Sequence, residues 1–296
     1  VQHLPKGWEE IMPVFDNDGM NVAYARRGEG QPVLLIHGFP QTHHLWEPVA
    51  DSLAGHFDLI MPDLRGYGAS AKPDPGNDPT LYSFRAMGGD LLALMRSLGH
   101  ESFHVVGHDR GARVAYRMVR DHPEVARSLT LMDIVPTDHL VETCDFAMAK
   151  AYFHWTFLAQ PAPFAEKMIE ADPDHFFEAC LLGWGGAKLG DFPALDAYRD
   201  AWRNPACIAA MTADYRAGVT VDLDHDAGDD GIVRCPSLVL YGRDGVVGRH
   251  YNVEAVWRPR LPNLTVSAIP GGHFFVDQHP DETARVLLGF LEPLAL

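Results

Sequence analysis

The stretch "FHVVGHDRGARVAYRMVR", residues 103–120, decides the fold. It begins with a short β-like run, continues through the tight segment "GHDRG" (107–111), and ends in a helical pattern that Pro123 closes. This order predicts a buried strand that turns sharply into a helix, with Asp109 on the turn. β-like and helical runs alternate on both sides of it, which is typical of a mostly parallel sheet with helices on both faces.

The pattern changes after Pro136 and returns near residue 235. Residues 139–216 contain no convincing strand and many aromatic side chains, so they predict a helical insertion. We therefore expect three segments: a first part of the α/β core (1–138), a helical cap (139–216), and a second part of the core (217–296). A ligand pocket is expected between the cap and the carboxyl ends of the core strands. The β-like runs are 20–28, 32–38, 58–66, 103–109, 128–136, 235–245 and 264–273, and clear helical runs are 84–99 and 281–294.

Composition narrows the class of protein. The 296 residues carry a net charge of −16, which argues against nucleic acid or an anionic membrane as partner. An anionic substrate would need local positive charge to bind. The four cysteines form no Cys-x-x-Cys pair, which argues against a zinc site or a disulfide framework and fits a reducing compartment. The first residues, "VQHLPKGWEE", include no apolar signal segment, and we expect a soluble cytoplasmic protein.

The segment around Asp109 has the spacing of a nucleophile elbow, Gly-x-Ser-x-Gly, with aspartate in the serine position. A carboxylate is already ionised at neutral pH and can attack a saturated carbon, expelling a leaving group and forming an ester with the enzyme. Water activated by a histidine would then hydrolyse that ester. The alternative is an aspartate that only caps the following helix.

The residues that would assist Asp109 occupy the loops expected at the same sheet edge. His273 follows the last predicted strand on a glycine-rich loop and is the candidate base. Asp133 and Asp244 each end a predicted strand, and the sequence pattern alone does not choose which of them orients the histidine. An oxyanion hole needs two backbone N–H groups, for which Arg110 and Phe39 are the candidates.

These motifs resemble those of the fluoroacetate (haloacetate) dehalogenases, in the Asp-nucleophile branch of the α/β-hydrolase superfamily. Epoxide hydrolases and haloalkane dehalogenases of that branch typically have tryptophan directly after the nucleophile. Here Arg110 takes that place and Arg113 lies on the same helix face, a pair suited to bind a carboxylate. The matching segments are "GHDRGAR", "HGFP", "MDIVPT", "YFHWTFLAQPAP", "DYRAG" and "GGHFFVD", which are spread over most of the chain, the cap included.

The resemblance implies a role for each matching residue. It implies that a small haloacid is the substrate, that no metal or organic cofactor is needed, and that the protein is a homodimer. Halide stabilisation by ring N–H and hydroxyl donors makes chemical sense for a leaving fluoride. The implied roles are Asp109 as nucleophile, His273 as base, Asp133 as its acid, Arg110 and Arg113 as the carboxylate clamp, His154, Trp155 and Tyr215 as the halide pocket, and Trp184 as a further pocket residue.

The predicted reaction is hydrolytic removal of halide from fluoroacetate and related short 2-haloacids, which gives the 2-hydroxy acid. One alternative is epoxide hydrolysis, with Tyr152 and Tyr215 polarising the epoxide oxygen. The arginine pair argues against it, because unpaired guanidinium groups are costly beside a neutral ligand. A non-catalytic ligand receptor is the other alternative, although every catalytic position is filled.

Overall fold

A mixed β-sheet forms the centre of the structure, a computed structural model that describes residues 12–228 and 230–295. The N-terminal stretch 1–10 and the last residue of the predicted second core segment lie outside the described residues. The strands are β1 (Val14–Asn17), β2 (Met20–Arg27), β3 (Gln31–Ile36), β4 (Phe57–Pro62), β5 (Phe103–His108), β6 (Ala126–Met132), β7 (Ser237–Gly242) and β8 (Leu264–Ile269).

The order of the strands across the sheet is β1-β2-β4-β3-β5-β6-β7-β8. β1 pairs with β2 and β2 with β4 in antiparallel fashion, and every later pair is parallel. β5 therefore lies inside the parallel part, between β3 and β6. The predicted fold class, a mostly parallel sheet of the α/β-hydrolase kind, is confirmed.

Both faces of the sheet are covered. Along β3, Val33 and Leu35 pack into one hydrophobic cluster while Leu34 packs into the other, and all three side chains are fully buried. This alternation follows from the period of two in a strand, and burial on both faces explains why the central runs are apolar throughout.

Helices fill the connections between strands. Those of the first half and the C-terminal part are α1 (Glu47–Leu53), α2 (Phe84–Ser97), α3 (Arg110–Asp121), α12 (Val246–His250), α13 (Val253–Trp257), α14 (Phe275–Gln278) and α15 (Pro280–Leu291). Between β6 and β7 lie α4 (Thr137–Glu142), α5 (Phe146–Ala151), α6 (Phe153–Leu158), α7 (Phe164–Glu170), α8 (Pro173–Gly183), α9 (Leu195–Trp202), α10 (Pro205–Gly218) and α11 (Val221–Asp226).

In the described residues between β6 and β7, helices joined by turns and loops are the regular structure and no strand occurs, in agreement with the absence of a strand pattern there. The predicted limits of the cap, residues 139 and 216, stay a prediction. None of the described helices combines the length and the apolar character needed to cross a bilayer.

Candidate active site

Asp109 lies at the turn between β5 and α3, as the sequence predicts. Its backbone has φ of +52°, a conformation that residues other than glycine rarely adopt and that is typical of a nucleophile elbow. The neighbouring glycines make the turn possible: a Cβ on Gly111 would lie 2.2 Å from the carbonyl oxygen of His37. The turn places the Asp109 side chain at the carboxyl end of the parallel strands, and the surrounding close packing maintains the strained backbone.

The loop after β3 contacts the carboxylate directly. The N–H of Phe39 donates to Asp109 Oδ1 at 2.8 Å. Gly38 permits this approach, because a Cβ there would lie 2.4 Å from the Cβ of Asp109. Burial alone would favour the neutral acid, but the positive charge of His273 and the other nearby donors outweigh it and hold the pKa of Asp109 below its usual value. Asp109 is therefore an ionised, buried carboxylate.

His273 lies between two carboxylates. Its Nδ1 is 2.7 Å from Asp133 Oδ2, and its Nε2 is 3.5 Å from Asp109 Oδ2. Burial opposes the charged imidazolium, but the hydrogen bond and charge of Asp133 outweigh it and raise the pKa of His273 above its usual value. The arrangement is that of a base held by an acid behind it.

Asp133, and not Asp244, contacts the histidine. Asp133 is buried, and its second oxygen accepts the N–H of Gly242 at 2.8 Å. Asp244 is exposed and accepts the N–H of Gly271 at 3.3 Å, in the turn after β7. Of the two aspartates that the sequence pattern left open, only Asp133 has the geometry to orient His273.

Two arginines on the first turn of α3 are buried beside the elbow. Arg113 Nη1 donates to the carbonyl oxygen of Val135 at 3.0 Å and to Thr137 Oγ1 at 2.9 Å. Arg110 instead pairs with Asp214, a residue of α10, through Nε at 3.0 Å and through a shorter Nη2 contact. Within residues 12–228 and 230–295, Arg110 Nη1 and Arg113 Nε have no hydrogen-bond partner. Each guanidinium thus retains a donor that a bound anion would satisfy.

Aromatic side chains from the helical segment form the opposite wall. The ring of His154 stacks on Phe39 with centroids 5.9 Å apart, and the ring of Tyr215 lies 5.4 Å from both His154 and Trp155. Burial lowers the pKa of His154 well below its usual value, so this ring is neutral. Burial likewise raises the pKa of Tyr215 well above its usual value and keeps the hydroxyl protonated. The predicted halide-binding residues therefore lie together.

Trp184 links this wall to the base. Its ring lies 4.1 Å from His154 and 5.3 Å from His273, and its carbonyl oxygen accepts the N–H of His273 at 2.9 Å. Tyr152 lies next to Trp184 and His154, and neither its hydroxyl nor that of Tyr215 has a partner in the described part of the chain.

Sequence reasoning missed two residues of this region. It considered Tyr152 only for epoxide chemistry, although "YFHW" already places it next to the predicted halide residues. It did not consider Asp214, although "DYRAG" includes it, because an acid so distant in sequence shows no pattern that ties it to Arg110. Elsewhere, His43, His44 and Glu47 form a group of the kind that can bind a metal ion, but it includes none of the residues around Asp109.

Comparisons with known proteins identify a family and several similar proteins. The profile of the α/β hydrolase fold matches residues 31–280. A fluoroacetate dehalogenase from Burkholderia sp is 51% identical over 267 residues, which cover 89% of this chain and 88% of that protein. A soluble epoxide hydrolase from Corynebacterium sp. (strain C12) is 26% identical over 94% of this chain and 96% of that protein. A solved structure described as an α/β hydrolase from Nostoc sp PCC 7120 superposes with a TM-score of 0.93 at 41% identity, covering 96% of this chain and 98% of that one.

Proposed function

The chain belongs to the α/β hydrolase fold family, and from this premise we propose that it is a haloacetate dehalogenase. It hydrolyses fluoroacetate and related short 2-haloacids to the 2-hydroxy acid and halide. The fluoroacetate dehalogenase at 51% identity supports this assignment more strongly than the epoxide hydrolase at 26%. One observation carries it: two buried guanidinium groups beside an ionised aspartate each keep a donor with no partner among the described residues, which suits a substrate with a carboxylate.

In the first step, Asp109 attacks the carbon that bears the halogen. Oδ1 accepts the Phe39 N–H, whereas Oδ2 faces His273, so Oδ2 is the oxygen better placed to attack. A carbon–oxygen bond forms, the carbon–halogen bond breaks, and the halide leaves with the bonding electrons. The product is a carboxymethyl ester of Asp109, whose carbonyl oxygen, Oδ1, remains on the Phe39 donor.

In the second step, His273 activates water. Nε2 takes a proton from the water molecule, and the resulting hydroxide attacks the carbonyl carbon of the Asp109 ester. The Phe39 N–H stabilises the negative charge on Oδ1, and the N–H of Arg110 is the proposed second donor. Collapse of this intermediate breaks the ester, and the glycolate oxygen takes the proton from His273. Asp109 is left as a carboxylic acid, which loses its proton to water and regenerates the ionised nucleophile. Asp133 stabilises the imidazolium that forms between these events.

The leaving halide is met by donors on the aromatic wall. Neutral His154, Trp155 and Tyr215 offer ring N–H and hydroxyl groups without adding a charge that would hold the product ion. Arg110 and Arg113 bind the substrate carboxylate, and Trp184 lines the pocket near that carboxylate. These roles rest on the contacts described above and on the matching motifs.

The assay that tests this function measures fluoride ion from fluoroacetate and diol from styrene oxide in parallel. We expect continuous fluoride release and no diol. Epoxide hydrolysis is the second candidate, favoured by the hydroxyls of Tyr152 and Tyr215, which have no partner among the described residues. Diol formation without fluoride release would establish that alternative, and the absence of both products would favour a ligand receptor.

Removing the acid behind the histidine tests the assignment of Asp133. We expect Asp133→Asn to lower kcat by roughly 10²- to 10⁴-fold, because the amide no longer stabilises the imidazolium or fixes its tautomer. Asp244→Asn is the matched control, and it retains activity close to that of the unchanged enzyme, since Asp244 is exposed and its side chain accepts the backbone N–H of Gly271 rather than contacting the His273 ring. A severe loss confined to Asp244→Asn would reverse the assignment.

The two steps should respond differently to pH. The pKa of His273 is raised, so the ring is protonated below that value and cannot accept a proton from water. The pKa of Asp109 is lowered, so the nucleophile stays ionised. We therefore expect steady-state kcat to fall as the pH decreases below the pKa of His273, while fluoride release in the first turnover persists. Rapid-quench and steady-state assays from about pH 5 to about pH 9 measure both; parallel decline of the two rates would contradict the assignment.

We also propose a cytoplasmic homodimer. The described cysteines are all free thiols, which fits a reducing compartment. Large apolar side chains are exposed on the helical segment, including Phe146 at 86% exposure and Phe164 at 54%, and a partner subunit would cover such a surface. Light scattering of the purified protein measures the mass that decides this point.

A further inference from the structure

Asp214 neutralises one of the two arginines at the elbow. Besides the side-chain contacts to Arg110, its backbone carbonyl accepts from Arg110 Nη2 at 2.8 Å, and the hydroxyl of Tyr67 donates to its Oδ2 at 2.8 Å. Both members of the ion pair are fully buried. Burial opposes the charge on Arg110, but Asp214 outweighs it and raises the pKa of Arg110 above its usual value. Burial raises the pKa of Asp214 above its usual value, against the charge and hydrogen bonds of Arg110 and the hydroxyl of Tyr67. Both carboxylate oxygens nevertheless accept from Arg110, which is the geometry of a fully enclosed ion pair.

The residues around Arg110 leave space for its guanidinium next to Asp214 and pack against it. Gly218 lies one helical turn after Asp214, and a Cβ there would approach Arg110 Nη2 to 3.0 Å. The guanidinium also lies over the ring of Tyr215 at 4.3 Å. Asp222, another buried acid of this region, accepts the N–H of Phe84, and burial raises its pKa to about 7, so it adds less than a full negative charge near neutral pH.

In the part of the chain that the structure describes, Arg113 has no such counter-ion. Its described hydrogen bonds go to a carbonyl and a hydroxyl, and no carboxylate in residues 12–228 or 230–295 lies within ion-pair distance of it. Its guanidinium lies over the ring of Trp155 at 4.7 Å. Arg110 together with Asp214 therefore has no net charge, whereas Arg113 keeps its full positive charge. Both side chains are buried, and each keeps one donor without a partner among the described residues.

We propose that Asp214 is a specificity-determining residue: it cancels the charge of Arg110, so that the substrate-carboxylate site has one net positive charge, supplied by Arg113, and selects ligands with one negative charge. This inference rests on the proposed function. Arg110 still donates through Nη1, which fixes the orientation of the carboxylate. Without Asp214, two uncompensated cations would bind the product carboxylate more tightly and slow its release.

A purely structural ion pair between α3 and α10 makes the opposite prediction. If Asp214 only holds Arg110 in place, its loss loosens the clamp and weakens the binding of carboxylates. If Asp214 cancels a charge, its loss strengthens the binding of anions and leaves the binding of neutral analogues unchanged. The direction of the change in affinity therefore separates the two roles.

The experiment measures the binding of glycolate and of its neutral amide, glycolamide, by calorimetry to the unchanged enzyme and to Asp214→Asn. We expect Asp214→Asn to bind glycolate at least tenfold more tightly, to bind glycolamide as before, and to show a lower kcat because product leaves slowly. Glycolate should also raise the Tm of the variant more than that of the unchanged enzyme. Weaker or unchanged glycolate binding by the folded variant would overturn the proposal.

A double variant covers the case in which an unpaired Arg110 prevents folding. Arg110→Gln with Asp214→Asn removes the pair as a whole, a replacement that buried ion pairs often tolerate, and leaves Arg113 as the net charge. We expect its glycolate affinity to fall by about 10- to 100-fold, the loss of the one charge-assisted hydrogen bond that Arg110 Nη1 donates. A greater loss would show that the charge of Arg110 was not cancelled. Because binding is measured without turnover, failure here is distinct from failure of fluoroacetate hydrolysis.

Discussion

Asp109→Asn should lower fluoride release from fluoroacetate by about 10⁴-fold or more, which corresponds to about 5.5 kcal/mol of lost transition-state stabilisation. The asparagine amide has the same shape as the carboxylate and can still accept the Phe39 N–H through its oxygen. It is neutral, however, and cannot displace fluoride from a saturated carbon. A fluoride electrode measures the rate, and mass spectrometry of the variant verifies that the amide has not hydrolysed back to aspartate.

Two controls separate chemistry from damage to the pocket. Asp244→Asn makes the same substitution at an exposed turn and should leave fluoride release nearly unchanged. A single turnover of the unchanged enzyme in water labelled with the heavy oxygen isotope should place the label in the Asp109 carboxylate, because water attacks the ester carbonyl. Label in the glycolate hydroxyl instead, or steady fluoride release by the intact Asp109→Asn variant, would rule out the covalent route.

Much of the fold could be predicted because the decisive features are local. β5, the sharp turn and α3 are consecutive in sequence, and the buried strands on both sides read as short apolar runs bounded by glycine and proline. A parallel sheet then brings the loop after each strand to one edge. That rule was enough to predict that Phe39, Asp109 and His273 lie together, as they do.

The choice between Asp133 and Asp244 could not be predicted from the residues, because both follow neighbouring parallel strands. The backbone decides it. Asp133 has φ of +53°, and its Oδ1 accepts the Gly242 N–H at the end of β7, which directs its other oxygen to His273. Asp244 lies beyond that point, in a turn with Gly271. Which aspartate contacts His273 depends on the backbone path of the loops after β6 and β7, and the residue types alone do not determine that path.

The arginine pair shows a similar limit. The spacing of Arg110 and Arg113 predicts one helix face with two cations, and both are buried there. It does not predict that α10, which is distant in sequence, supplies a carboxylate to one of them. One of the two arginines is therefore paired with a carboxylate in the folded chain and the other is not. This difference arises only from tertiary packing.

His273→Gln should separate the two halves of the reaction. The first half needs an ionised Asp109 and donors for the halide. Loss of His273 removes one interaction that lowers the pKa of Asp109, but the Phe39 N–H and Arg110 remain. We therefore expect one equivalent of fluoride per active site, followed by a steady rate lower by about 10⁴-fold or more, because no base activates water. Rapid-quench fluoride measurements give both phases.

Accumulation of the ester on Asp109 distinguishes the loss of the base from misfolding of the variant, because a misfolded enzyme would not form the ester. The peptide that contains Asp109 should gain the mass of one carboxymethyl group in His273→Gln, while the double variant with Asp109→Asn should show neither the adduct nor the fluoride burst. The unchanged enzyme should show the adduct only transiently. A His273→Gln variant that releases no fluoride in the first turnover would mean that the imidazolium is required for displacement. The assignment of displacement to Asp109 and of water activation alone to His273 would then be wrong.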